Sequence, residues 1–121
     1  MRTCPARILR VFVCPRDRRK GIVNIGVFRF PCALGRSGAG LKKREGDGFT
    51  PVGIYGLRRL HYRPDKFMSV RTNLPKRAMT RADWWSDDPE DRDYNRLVRQ
   101  RAIPRGSKEG LWRKDSLYDL V

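Results

Sequence analysis

The sequence predicts a mainly β domain, and three observations carry that reading. Residues 7–14 (RILRVFVC) and 21–30 (GIVNIGVFRF) are rich in Ile, Val and Phe and flank a short charged stretch, PRDRRK, which is the pattern of a hairpin. Glycine and proline punctuate the middle of the chain, as suits long loops between short strands. Residues 117–121 (LYDLV) form a further strand-like run. With 121 residues the chain has room for one domain, 1–121. Such a domain buries roughly 60–70% of its unfolded surface, enough for one modest core.

Taken in order, the first run is a strand and PRDRRK its turn. In the second run Val23, Ile25 and Val27 alternate to one face and Ile22, Phe28 and Phe30 to the other. Apolar side chains on both faces predict a strand sandwiched between layers. The piece FPCAL (30–34) continues as a short extended segment, with Pro31 marking an edge or a break. Between 35 and 53 the chain carries glycine at 35, 38, 40, 46, 48 and 53, with Pro51 beside them, the composition of a tightly turning loop. Residues 54–62 (IYGLRRLHY) read as a strand, 63–82 as irregular, and Pro89 opens a short helical turn.

Charge narrows the partner classes. Lys and Arg number 28 against 13 Asp and Glu, a formal net charge of +15. The basic residues concentrate in 1–20, 58–77 and 96–114, while 83–93 is acidic. This describes either a solvated Arg-rich surface or a surface for an anionic partner, whether nucleic acid, acidic membrane or carboxylate-bearing substrate. The apolar stretches are too short for a transmembrane helix. Arg10 splits the only apolar run near the start, so no signal peptide is visible.

The familiar site motifs are not met. Gly35 and Gly40 have the spacing of a phosphate-binding P-loop, but Leu41 stands where Lys is needed. GRSGAG has the wrong order for a dinucleotide fingerprint. Asp91, Asp93 and Asn95 fit the first ligands of a calcium loop, but Arg96 replaces its glycine and Ala102 its bidentate glutamate. Cys4, Cys14, Cys32 and His61 are the soft or imidazole ligands and lack the close C-x-x-C pairing of a zinc site, so neither metal nor cofactor is expected. His61, between Leu60 and Tyr62 among basic residues, reads as a packing or surface histidine rather than the base of a cysteine nucleophile. Trp84, Trp85 and Trp112 lie near Arg clusters and serve either as packing or as base-stacking platforms.

Four strings in order resemble a known family. PCALGRSG (31–38), KREGDGFTPVG (43–53), WSDDPEDRDYNR (85–96) and LWRKD (111–115) followed by LYDLV are similar to the front half of the L,D-transpeptidase catalytic domain, the YkuD-like family. The similarity runs from about residue 7 onward. The resemblance implies a β-rich, sandwich-like domain with a cleft, acting in the bacterial cell envelope or periplasm on peptidoglycan stem peptides. In that family a cysteine thiolate attacks a stem-peptide carbonyl, a terminal D-residue leaves, and an amine of a neighbouring stem resolves the acyl-enzyme. Such substrates carry several carboxylates, so a basic cleft suits them.

The family's nucleophile follows a histidine in a Ser/Thr-x-Gly-Cys segment, and no Gly-Cys dipeptide occurs in residues 1–121. Where the family pattern has His in an S-H-E string, this chain has Lys108. The resemblance therefore implies a domain incomplete at its C-terminus, truncated before the catalytic segment and inactive by itself, with no catalytic residue to assign. Arg36, Lys43 and Arg44, which flank the glycine loop, are the substrate-binding residues expected to meet carboxylates. LYDLV is expected to leave a strand edge or apolar face unpaired, and so to favour marginal stability or self-association. The alternatives are a small basic nucleic-acid-binding module and a non-catalytic cell-wall-binding remnant.

Overall fold

The computed structural model describes residues 8–100 and 105–121. Arg7, Cys4 and Ala102 lie outside the described residues. Ten strands and no helix occur among those described, so the fold is mainly β, built of open sheets. The chain divides into two compact units, one ending at Ile54 and the other Tyr55–Val121.

In the first unit, β1 (Leu9–Cys14), β2 (Asp17–Ile25) and β3 (Phe28–Ala33) form an antiparallel sheet in the order β1-β2-β3. The hairpin is present, with two corrections. Asp17 to Lys20 belong to β2 rather than to the turn, which shrinks to Pro15 and Arg16. The run 21–30 is two strands, because Gly26 adopts φ 57° and reverses the chain between Ile25 and Phe28. Glycine enters that left-handed region without the Cβ clash other residues meet.

Register places Leu9, Ile25 and Phe28 in one row, Val11, Val23 and Phe30 in the next, and Val13, Gly21 and Cys32 in a third. Paired residues share a face, so these three rows make one wholly uncharged surface. It is not sandwiched: Leu9, Val11, Val13, Phe28 and Phe30 are all exposed, Phe28 by 63%. The faces are also reassigned: Phe28 and Phe30, expected opposite Val23 and Ile25, share their face because the chain reverses at Gly26. Covering that face is a tertiary matter that alternation does not encode.

The remaining strands of this unit, β4 (Gly38–Gly40) and β5 (Phe49–Pro51), pair in parallel. Parallel neighbours ordinarily require a crossover of a dozen or more residues. Here residues 41–48 make the return, and a single side chain, Asp47, organises it.

The second unit is built from shorter strands. β6 (Leu60–Tyr62) pairs in parallel with β7 (Lys76–Ala78), and β8 (Asp83–Ser86) lies between β10 (Lys108–Gly110) and β9 (Leu97–Arg99) in an antiparallel sheet. Residues 54–59 are not strand, contrary to the sequence reading: Ile54 and Leu57 are exposed, so no burial rewards their β-propensity. The segment after Pro89 makes successive turns rather than helix, with Asp91 N–H donating to the Asp88 carbonyl and Tyr94 N–H to that of Asp91.

The tail is paired, which corrects the expectation of an open edge. His61 and Val121 exchange both backbone hydrogen bonds, at 2.7 and 2.9 Å, and Arg63 N–H donates to the Asp119 carbonyl. Leu117 and Leu120 nevertheless remain exposed. Met79 and Leu111 are the buried hydrophobic residues among those described, and Asp83, Ser86 and Arg63 are buried with them.

Candidate functional site

Two basic constellations stand out, one in each unit. In the first unit, of the three residues expected to bind substrate, Lys43 and Arg44 lie on the 41–48 loop and Arg36 on the adjoining β3–β4 connection, bonded to that loop. Asp47 is the hub. Its carboxylate accepts from the backbone N–H groups of Lys43 (2.8 Å), Arg44 (3.3 Å) and Phe49 (3.0 Å) and from Lys42 Nζ (3.4 Å). These donors hold the Asp47 carboxyl well below the usual carboxylate range, the Phe49 amide contributing most. This is the turn chemistry that makes Asp effective in loops: its short side chain replaces missing backbone partners.

The same loop is stitched to the β3–β4 connection. Gly35 N–H donates to Thr50 Oγ1 at 2.8 Å, Ser37 N–H to the Gly48 carbonyl at 3.0 Å, and Ser37 Oγ to the Asp47 carbonyl at 2.8 Å. Arg36 packs over Gly48 and donates from Nη2 to the Gly46 carbonyl at 2.6 Å. A Cβ on Gly48, whose φ is 77°, would lie 2.6 Å from Arg36 Cγ, so only glycine fits there. Arg36 is thus engaged by the loop itself. Lys43 and Arg44 are pinned through their backbone, with exposed side chains.

The second constellation was missed by the sequence reading. Asp83, the first residue of β8, is 1% exposed. Its Oδ1 accepts from Arg77 Nη2 (3.1 Å) and Arg99 Nε (3.0 Å), and its Oδ2 from the backbone N–H of Thr80 (2.7 Å). Burial by itself would raise the Asp83 carboxyl pKa; the Arg99 and Thr80 hydrogen bonds and the two guanidinium charges outweigh it, and the net shift is downward. A cavity of about 430 Å³ opens beside this cluster, lined by Thr80, Arg81, Ala82 and Arg99.

His61 pairs with Arg77 in the β6–β7 register. Its Nδ1 is buried with no hydrogen-bond partner among the described residues. Burial, then the charges of Arg77 and Arg59, push its pKa down, so the ring stays neutral. That agrees with a packing histidine. The acidic block is partly engaged in pairing: besides Asp83, Asp91 accepts from Ser86 Oγ and pairs with Lys108, both at 2.9 Å.

Trp84 packs and Trp112 lies among arginines. Trp84 Nε1 donates to the Gln100 carbonyl at 3.3 Å and its ring covers Gly110. Trp112 is flanked by two guanidiniums, Arg63 at 4.0 Å and Arg81 at 5.2 Å from the ring centroid. Among the described residues no group of three or more His, Cys, Asp or Glu side chains is placed to hold a metal ion, and no helix is long and apolar enough to cross a membrane.

Residues 10–115 match the family described as the L,D-transpeptidase catalytic domain. The chain belongs to that family. The match spans both units, so the glycine loop and the Asp83 cluster are parts of an L,D-transpeptidase catalytic domain sequence. No curated protein and no solved structure matches the chain.

Proposed function

We propose that residues 1–121 form one L,D-transpeptidase-like domain whose substrate class is the peptidoglycan stem peptide, in cell-wall cross-linking by acyl transfer. The family match over residues 10–115 carries this reading. The chemistry of the loop supports it: Asp47 fixes the backbone at Lys43 and Arg44, so two cations are presented on a pre-shaped turn rather than a floppy one. A carboxylate-rich peptide is the ligand such a turn favours.

We further propose that the 121-residue polypeptide transfers no acyl group by itself. A thiolate nucleophile needs a neighbouring base and oxyanion donors. No Gly-Cys dipeptide is present to form the family's nucleophile motif, and the one imidazole, His61, stands beside Arg77 in the β6–β7 register. Burial and the Arg77 and Arg59 charges there disfavour the imidazolium a thiolate would pair with. Incubation with a stem-peptide donor and an amine acceptor, followed by mass spectrometry of thiol-labelled protein, is expected to show neither cross-linked product nor adduct. An acyl adduct on Cys4, Cys14 or Cys32 overturns this. Retention on cell-wall sacculi tests the substrate class. If generic DNA is bound instead, with affinity falling steeply as salt rises, the nucleic-acid module replaces it.

A further inference from the structure

We propose that the cavity beside the 80–82 turn is a second binding subsite, taking a carboxylate of a peptide ligand on Arg81 and Arg99. Three features of the site converge on that chemistry.

The first is an imbalance of charge. Arg77 and Arg99 both converge on the single carboxylate of Asp83, and Arg81 forms no ion pair among the described residues, stacking on Trp112 instead. The cluster thus holds three guanidiniums against one carboxylate, and two of them, Arg81 and Arg99, line a cavity whose lining contains no acid. A bound anion relieves this.

The second is rigidity. Thr80 N–H is held by Asp83 Oδ2, Asp83 N–H donates to the Thr80 carbonyl at 3.1 Å, and Ala82 N–H donates to Thr80 Oγ1 at 3.3 Å. Gln100 N–H donates to the Ala82 carbonyl at 2.8 Å. These bonds hold the N–H groups of Thr80, Ala82 and Asp83 within the turn, and the charged donors that line the cavity are the Arg81 and Arg99 guanidiniums. Asp83 fixes one of these through Arg99 and the Trp112 ring steadies the other, which lowers the ordering cost of binding.

The third is size. The space is about 430 Å³ and open to solvent, which leaves room for the end of a peptide whose remainder extends outward. Arg99 already turns its Nε and Nη2 toward Asp83, so Arg81 offers the guanidinium fork that a planar carboxylate matches, with Arg99 adding its charge. A carboxylate also needs fewer charges than phosphate to be neutralised.

This subsite is separate from the Lys43–Arg44 turn, and only the identity of its peptide rests on the stem-peptide reading. The test titrates the full 121-residue chain with N-acetyl-alanyl-alanine, its C-terminal amide and inorganic phosphate, followed by calorimetry. The carboxylate is expected to bind, with the amide weaker by about tenfold or more, as loss of a charge-assisted pair entails. Arg81→Gln is expected to lose a similar factor and Arg81→Lys to recover part of it, while circular dichroism remains that of the parent chain. Equal binding of acid and amide, indifference to Arg81→Gln, or phosphate binding more tightly than the dipeptide each overturns the subsite. Sacculus retention without dipeptide binding leaves the stem-peptide reading intact and removes the subsite. Dipeptide binding that depends on Arg81, without sacculus retention, does the reverse.

Discussion

The two units reach order by opposite routes. The unit ending at Ile54 has the long strands: β2 spans nine residues and ladders with a partner on each side, yet Val11, Phe12, Val13 and Phe30 are all exposed. The unit Tyr55–Val121 has strands of three or four residues and holds the fully buried side chains, Met79, Leu111, Asp83 and Ser86. In the first unit the backbone ladder organises the three-stranded sheet, and Asp47 shapes the loop beside it. In the second, side chains do the organising, and two of the four buried ones are polar. Strand length and core formation are therefore separable: hydrogen-bond ladders regularise a chain without drying its side chains, whereas a buried carboxylate with three donors ties together segments that have little ladder to share.

Substitutions can break that contrast. The largest effect is expected in the second unit. Asp83→Asn removes the charge that two guanidiniums share while nearly keeping the shape, and should cost about 3 kcal/mol, at the lower end for a broken buried pair because Arg99 is half exposed. Urea unfolding would measure it; a loss below about 0.5 kcal/mol, the level of ordinary surface changes, would mean the cluster does not hold the unit.

A pH profile sharpens the comparison next. The Asp91 carboxyl is lowered from 3.8 to about 2, chiefly by the Asp93 backbone N–H and then by Lys108 and Ser86. A depressed folded pKa contributes stability that is complete above the unfolded value and is lost as pH falls from about 4 toward 2. His61 is depressed below 6.5 by burial and neighbouring arginines. Its neutral form is the one that folds, so its contribution is present above pH 6.5 and declines as pH falls below it. Stability should therefore fall on acidification in two stages, with His61→Gln flattening the upper stage and Asp91→Asn reducing the lower, which Asp47, Asp83 and Asp115 share. An unchanged profile in both variants would place the acid sensitivity elsewhere.

The smallest effect is expected in the first unit. Phe30→Ser lies on the uncharged sheet face, and being exposed already should change stability by less than about 0.5 kcal/mol. It should, however, reduce binding of a hydrophobic dye such as ANS. A loss of several kcal/mol would show that the face is covered in solution.

Much of this was legible in the residues, and what was not has a physical reason. The hairpin, the glycine loop and the family strings were readable because local composition carries them: Ile, Val and Phe at alternating positions, and Asp and Gly where the chain must turn. The break at Gly26 was hidden because the apolar residues continue through it, and one glycine's φ decides the reversal. The nearness of Arg36, Lys43 and Arg44 to the glycine loop was legible because sequence puts them beside the glycines. Asp83 was not. Its partners stand six and sixteen residues away, in segments whose charges read as solvent-facing, and nothing local distinguishes a buried Asp from its five acidic neighbours in 83–93. The partner of the LYDLV tail was hidden likewise, since strand-like composition does not say which edge a strand joins.

The position of Trp112 between Arg63 and Arg81 gives the molecule an optical gauge of its own. Indole emission responds to charge near the ring, and Arg81 both touches that ring and lines the cavity. Any ligand that draws the Arg81 guanidinium away from the indole thus writes a change into the protein's fluorescence, so that occupancy is readable without a label.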